Sequence, residues 1–395
     1  MIVDSLSSNQ AGENFERSAR LRWRDGAATL RIAVPAGLAG GAHDASPFLA
    51  ATLLQAMRRH EDLEVDGPVS ERLLRRSETI QAALHAWDPS LRRCSVTVAG
   101  TSRAAEAGDG RLCFFSRGVD SMYSAAVERH EPGPLTGLVF VRGLEAARDE
   151  EEVLRAGEAA AQLGLPLHLC ETNLRAISEP LMSWGDLHGA GLAFVALSLG
   201  GGANHVVLPS GASFATAAPH GSHPLADHLY STEAVQVEHD DITHGRLGKV
   251  AWLARERPEL LGLLRVCYFA DAGAGCGRCG KCLFTMACLE AAGALGQAGF
   301  PDRLDPGALA AMRLSTLPDR IEWSAVARAL GPGPLRDAVL LSLRCSARAP
   351  LAERVRARLG RRKVPDPAWS GSPNQFNQHH TNAAVSLLRD GRPYP

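Results

Sequence analysis

The stretch from Arg111 to Met122 constrains the fold most. A mostly apolar run, Arg111-Leu112-Cys113-Phe114-Phe115, stops at Ser116-Arg117-Gly118-Val119-Asp120-Ser121, and a helix-like pattern follows from Tyr123 to His130. A strand that ends in a loop of small residues and re-enters as a helix aims several unpaired backbone N–H groups at one point, where the helix dipole favours negative charge. Ser116 and Ser121 add hydroxyls, and Gly118 lets the backbone approach a bound group closely. Asp120 is too acidic to touch an anion directly, so it would hold a Mg²⁺ ion or cap the helix. Taken alone, the pattern reads either as a pyrophosphate cradle or as an ordinary strand-to-helix turn capped by Asp120 and Ser121.

The rhythm that follows decides the fold class. Leu138 to Val141 is a continuous apolar run, as in a strand buried on both faces. Asp149 to Leu163 reads as a helix, Leu165 to Cys170 as a strand, His188 to Leu199 as a helix and His205 to Leu208 as a strand. This alternation predicts an α/β protein with a parallel sheet and right-handed crossovers. Ligands in such sheets sit at the carboxyl ends of the strands. The loops Ser116–Ser121, Arg142-Gly143, Glu171-Thr172-Asn173 and Ser210-Gly211 are therefore expected to face one cleft.

Upstream, residues 1–20 look polar and loose. Leu21 to Val34 reads as a hairpin around Asp25-Gly26. Phe48 to His60 and Val69 to Trp87 carry apolar residues at helical spacing, and Cys94 to Ala99 alternates like a strand. The Gly37 to Gly41 cluster is read as a turn. Residues 1–108 form an expected α/β accessory domain.

Cysteine spacing is the most specific pattern in the chain. Cys267, Cys276, Cys279 and Cys282 read C-x8-C-x2-C-x2-C. Each C-x2-C bite brings two thiolates onto one ion through a tight knuckle. Four thiolates close a tetrahedral Zn²⁺ shell with no open position, so the site is expected to be structural. An iron–sulfur cluster and buried free thiols are the alternatives. The same residues spell G-x-G-x-x-G and a near Walker A from Gly275 to Lys281, but Cys282 stands where a Mg²⁺-binding hydroxyl belongs, and no βαβ context surrounds the glycines. The histidines His220, His223, His228, His239 and His244 follow no ligand spacing and are read as solvated or capping residues.

Ser116-Arg117-Gly118-Val119-Asp120-Ser121 resembles the S-G-G-x-D-S loop of the PP-loop ATP pyrophosphatases, with Arg117 where a second glycine is usual. With the cysteine spacing downstream, the chain resembles the 7-cyano-7-deazaguanine synthase branch of that family over roughly residues 110–290. The resemblance implies an adenine nucleotide alpha-hydrolase-like (HUP-type) core. It also implies ATP and Mg²⁺ in the Ser116–Ser121 loop, adenine against backbone at Phe140 to Arg142 (Val141 central), and Ser210-Gly211 near the α-phosphate. Arg117 and Lys281 would be further phosphate contacts. The implied chemistry is adenylation of a small carboxylate-type or amide substrate for nitrogen transfer, with Asp120 and Ser121 in catalytic roles. The branch's Asp-, Tyr- and Pro-rich substrate loop is not recognisable at Ser210 to Ala218.

Two other readings stay open. A PP-loop sulfurtransferase would need a reactive thiol among Cys113, Cys170 and Cys288, all in apolar surroundings. A non-catalytic nucleotide-binding module would suit Arg117 and the large flanks. The expected layout is an accessory domain over 1–108, an ATP-binding domain with its zinc knuckle over 109–290, helices over 291–360, and a disordered tail over 361–395 rich in Pro, Asn, Ser and Gly. Glu353 to Lys363 is an Arg-rich helix end. A net charge of −1 over 395 residues gives no field to recruit nucleic acid or anionic membrane. No apolar run is long enough to span a bilayer, and Met1 to Gln10 lacks a signal-peptide pattern. The cytoplasm is the expected compartment, with a homodimer left open.

Overall fold

The computed structural model describes residues 1–358 except 104–106, 128–132, 145–149, 268–274 and 301–302, with side chains to residue 347. The tail expected over 361–395 lies outside the described residues, as do the Arg-rich side chains of 353–363 and the expected helix residues Glu128 to His130.

The chain opens with β1 (Ile2–Ala11), β2 (Asn14–Trp23) and β3 (Gly26–Pro35), then α1 (Ser46–Arg59), β4 (Leu63–Ser70), α2 (Glu71–Trp87) and β5 (Val96–Ser102). The first twenty residues are thus not loose but two long strands. Their buried side chains are Val3, Arg17, Ala19 and Leu21, while the intervening serines and charged residues are mostly exposed. A strand with one wet face and few β-branched residues carries little apolar signal, so its sequence reads as coil. The Asp25-Gly26 turn does join an antiparallel hairpin, with Trp23 opposite Gly26.

Next come β6 (Gly110–Phe114), α3 (Val119–Ala126), β7 (Gly137–Arg142), α4 (Glu150–Leu163), β8 (Leu167–Thr172), α5 (Leu174–Ser178), α6 (Trp184–Ser198), β9 (Ala203–Leu208) and β10 (Gln236–His239). Among the described residues, all ten strands share one sheet in the order β10-β9-β6-β7-β8-β3-β2-β1-β4-β5. From β10 to β8 every neighbouring pair is parallel. Counted from β6, these five strands run 3-2-1-4-5, so the winding reverses between β6 and β9. The antiparallel contact of β3 with β8, Ile32 opposite Thr172, carries the sheet on into the amino-terminal strands.

Strand alternation divides the buried residues between two cores. Leu112, Phe114, Val139, Val141, Val206 and Leu208 face one layer with α1 and α6, where Phe48 and Phe194 pack ring to ring at 5.6 Å. Cys113, Phe115, Leu138, Phe140 and Val207 face the other, which contains α3, α4, α7 (Arg246–Glu256) and α8 (Gly280–Ala291). Each such fully buried Leu or Phe contributes about 1.5–3 kcal/mol. The carboxyl-terminal helices α9 (Pro306–Ala311), α10 (Leu317–Ala329) and α11 (Pro334–Arg358) close over the second layer, where Trp323 meets Phe284 edge-on at 5.0 Å. Among the described residues, no helix is long and apolar enough to cross a membrane.

Candidate nucleotide site and metal centre

The winding reversal between β6 and β9 leaves a crevice at their carboxyl ends. The Ser116–Ser121 loop opens on one side of it and Ser210-Gly211 on the other. Gly118 is the N-cap of α3 and has no side chain to cap it, so the first-turn amides of Val119, Asp120 and Ser121 start the helix without a side-chain acceptor from that position. The serines brace the loop. Ser116 N donates to Ser121 Oγ at 3.1 Å, Ser121 Oγ donates to the Gly118 carbonyl at 3.2 Å, and the two hydroxyls lie 3.3 Å apart.

Asp120 is the charge at the centre. Its Oδ2 accepts from Arg246 Nη2 at 2.7 Å, at the start of α7. Burial alone would raise this carboxyl. The charges of Arg246, Lys249 and Lys281 and the Arg246 hydrogen bond outweigh it and hold the pKa below the usual carboxylate range. Asp120 Oδ1 is buried and has no hydrogen-bond partner among the described residues. Gly211 lies against the same pair, since a Cβ there would sit 3.7 Å from both Arg246 Nη2 and Asp120 Oδ2. Lys249 is 1 % exposed, and its Nζ donates to the Ser210 carbonyl at 2.7 Å. Three cations thus act on one carboxylate at a helix N-terminus, an excess of positive charge among these four groups.

A fourth group comes from the carboxyl-terminal helices. Glu322 on α10 reaches the start of α7, and its Oε1 is buried without a partner among the described residues. Burial pushes its carboxyl up to about 7 against the opposing pull of Arg246, with Asp120 adding to the rise. It is therefore only partly ionised at neutral pH and cancels part of the positive charge.

The other predicted residues fall out as follows. Pairing of β7 with β6 ends at Val139, whose carbonyl accepts from Phe115 N at 2.8 Å. Leu138 donates the other way, to the Pro166 carbonyl. Alternation then turns the backbone groups of Val141 to the β6 side, past the end of that ladder and toward the crevice. Lys281, second residue of α8, lies close enough to Asp120 to lower its pKa.

Arg117 differs from expectation. Its guanidinium does not join the crevice cations. It is 3 % exposed and donates to Glu152 Oε2 at 2.8 Å and to the Leu263 carbonyl at 3.3 Å. Arg265 Nε holds the other Glu152 oxygen at 3.0 Å. The backbone of Arg117 has φ +60°, a left-handed conformation that favours glycine. The loop therefore keeps a glycine-like path while its side chain anchors α4.

The four predicted cysteines meet. The sulfurs of Cys267, Cys276, Cys279 and Cys282 all lie within 4.8 Å of one another, and Cys276 and Cys282 are 3.9 Å apart. Zinc–sulfur bonds of about 2.3 Å in a tetrahedron set sulfurs about 3.8 Å apart, so the cluster fits Zn²⁺ with modest contraction. Cys279 is the N-cap of α8 and accepts from Cys282 N. Hydrogen bonding from Cys282 leads the causes that bring its thiol down to about 5. The knuckle requires its glycines: Gly277 has φ +68°, and a Cβ on Gly275 would fall 2.3 Å from Phe300. The remaining candidate thiols are inert by environment. Cys113, Cys170 and Cys288 are fully buried, and burial pushes Cys170 up to about 12 and Cys288 higher still.

Three residues at the crevice carried no sequence signal. Glu322 is one acidic residue on an ordinary amphipathic helix. Asp227 and His239 stand in line behind Ser210 but sit 12 residues apart in a stretch without a ligand pattern. The histidines expected to be solvated or capping divide between the two roles, His220 and His223 accepting from the backbone N–H groups of Ser222 and Leu225. His228 and His244 are exposed, whereas His223 is buried and burial lowers His220 to about 4.

Fold and site together define an α/β protein with a mostly parallel sheet, a group of cationic side chains around Asp120 at its winding reversal and a four-cysteine cluster of a size to hold zinc. Comparison with protein-family models, curated proteins and solved structures returns no match.

Proposed function

We propose that this chain is an ATP-dependent enzyme of the PP-loop type, with a HUP-type core, that adenylates a small carboxylate or amide and releases pyrophosphate. One observation carries the reading. The amides opening α3 and the cations Arg246, Lys249 and Lys281 converge on Asp120, whose Oδ1 has no partner. A triphosphate is the anion that uses both the amides and the excess positive charge. A lone carboxylate oxygen beside phosphates suits Mg²⁺, which keeps most of its waters and takes one or two protein ligands. When bound there, Mg²⁺ would neutralise charge developing on the leaving pyrophosphate.

In this reading the backbone of Val141 receives the adenine edge. The α3 amides hold the phosphates, and Ser210-Gly211 borders the α-phosphate. The substrate oxygen attacks the α-phosphorus and pyrophosphate departs onto the amides. A nitrogen nucleophile then displaces AMP, as in the 7-cyano-7-deazaguanine synthases that the motifs resemble. Four thiolates around zinc would steady the wall formed by α8, which also carries Lys281. Burial of Cys113, Cys170 and Cys288 argues against sulfur transfer through a protein thiol.

The test is AMP and pyrophosphate release from ATP across a library of carboxylic acids. One acid should stimulate turnover, and Asp120→Ala should lower it about 10²–10³-fold with the fold intact. ATP binding without turnover on any acid would leave a nucleotide-binding module instead. Equal turnover by Asp120→Ala would reject the site.

A further inference from the structure

Behind the crevice, Ser210, which borders the proposed α-phosphate position, joins His239 and Asp227, which the adenylation reading does not use, in one continuous chain. His239 Nδ1 lies 2.8 Å from Asp227 Oδ2, and His239 Nε2 lies 3.0 Å from Ser210 Oγ. Ser210 and Asp227 are fully buried, and the His239 side chain is 6 % exposed. The three come from different elements: Ser210 follows β9, His239 ends β10, and Asp227 opens a short 3₁₀ turn at Asp227–Tyr230.

Proton bookkeeping fixes the arrangement. Asp227 also accepts from Ser222 Oγ at 2.6 Å and from His223 N at 3.1 Å. A carboxylate with these acceptor duties takes Nδ1–H from His239, which leaves Nε2 of the neutral ring as an acceptor for the Ser210 hydroxyl. That hydroxyl oxygen accepts from Ala212 N at 3.2 Å, and the Ala212 carbonyl lies 2.8 Å away as an alternative acceptor. If the ring takes up a proton, Nε2 donates to Ser210 and the hydroxyl turns to Ala212. The His239–Ser210 link is kept in either state, and only the Ala212 carbonyl gains or loses the hydroxyl proton. Lys249 clamps the Ser210 carbonyl from the opposite side.

The Ser-His-Asp order resembles a nucleophilic triad, but the hydroxyl is sealed from solvent and folded into its own turn. We propose that Asp227, His239 and Ser210 act instead as a buried positioning relay. It fixes the carboxyl end of β9 so that Gly211 packs against Asp120 and Arg246. The relay determines the width of the crevice from the β9 side. Its effect on ligand affinity rests on the nucleotide reading above, whereas its effect on the loop does not.

Two measurements on the full chain separate these. Hydrogen exchange over residues 210–216 should rise at least tenfold in Ser210→Ala and His239→Ala, and Ser210→Thr should restore protection. Equilibrium binding of ATP with Mg²⁺ should weaken at least tenfold in Ser210→Ala and His239→Ala, with melting temperature and zinc content held. Unchanged exchange in both variants would overturn the relay, as would covalent labelling of Ser210 by a fluorophosphonate. If the native protein binds no ATP while exchange responds as stated, the relay stands and the nucleotide reading falls.

Discussion

Arg117 shows how one residue can keep a motif's path while changing its chemistry. Its φ of +60° is what a glycine would adopt without cost, and its guanidinium is buried against Glu152. Breaking a buried pair costs about 3 kcal/mol, and release from the left-handed region returns about 1 kcal/mol. Arg117→Gly should therefore lose about 2 kcal/mol of stability in denaturant melts, while ATP affinity changes less than threefold. A large affinity loss would return the guanidinium to the phosphates. Glu322 makes a separate prediction. Its folded pKa of about 7 exceeds that of an unfolded glutamate, so the folded state binds the extra proton. The associated stability is present below about pH 4 and is lost as pH rises through about 7, up to about 3 kcal/mol. Glu322→Gln should flatten the pH–stability curve between those limits. A curve with the native slope would assign the titration to another group.

Among the elements, α8 links the two centres. Cys279 caps its first turn, Cys282 lies one turn in, and Lys281 between them faces Asp120. Cys279→Ser should remove bound zinc from the purified protein, lower the melting temperature and weaken ATP binding together. Full zinc occupancy in that variant would contradict four-thiolate ligation. Local elements were legible where one residue type dictates geometry. The apolar runs of β6 and β7, the C-x2-C bites and the Asp25-Gly26 turn each state their structure in sequence. The strands β1 and β2 did not, because their outer faces meet water and only Val3, Ala19 and Leu21 mark the inner side. The relay was illegible for a different reason: Ser210 and His239 become neighbours only through the pairing of β9 with β10, and Asp227 only because its 3₁₀ turn packs on β10.

At the scale of the molecule, the sheet is continuous across residue 108. β3 pairs with β8, and Phe48 of α1 packs against Phe194 of α6. A chain beginning at residue 109 would expose the β8 edge and one face of α6, and an unpaired edge invites aggregation. Such a truncation should be insoluble, or fail to show native circular dichroism, under conditions where the full chain is folded. A soluble, zinc-loaded fragment would show that the core stands alone. The order of the five parallel strands was also beyond the sequence, since alternation predicts a parallel sheet but not where its winding reverses. That reversal gives the Ser116–Ser121 loop its meaning, because it sets Ser210-Gly211, Arg246 and Lys249 across from it. The most direct measurement is a crystal structure with Mg²⁺ and α,β-methylene ATP. The account predicts phosphate oxygens on the amides of Val119 to Ser121, a cation at Asp120 Oδ1 and adenine beside Val141; a nucleotide bound elsewhere, or none at saturating concentration, would contradict it.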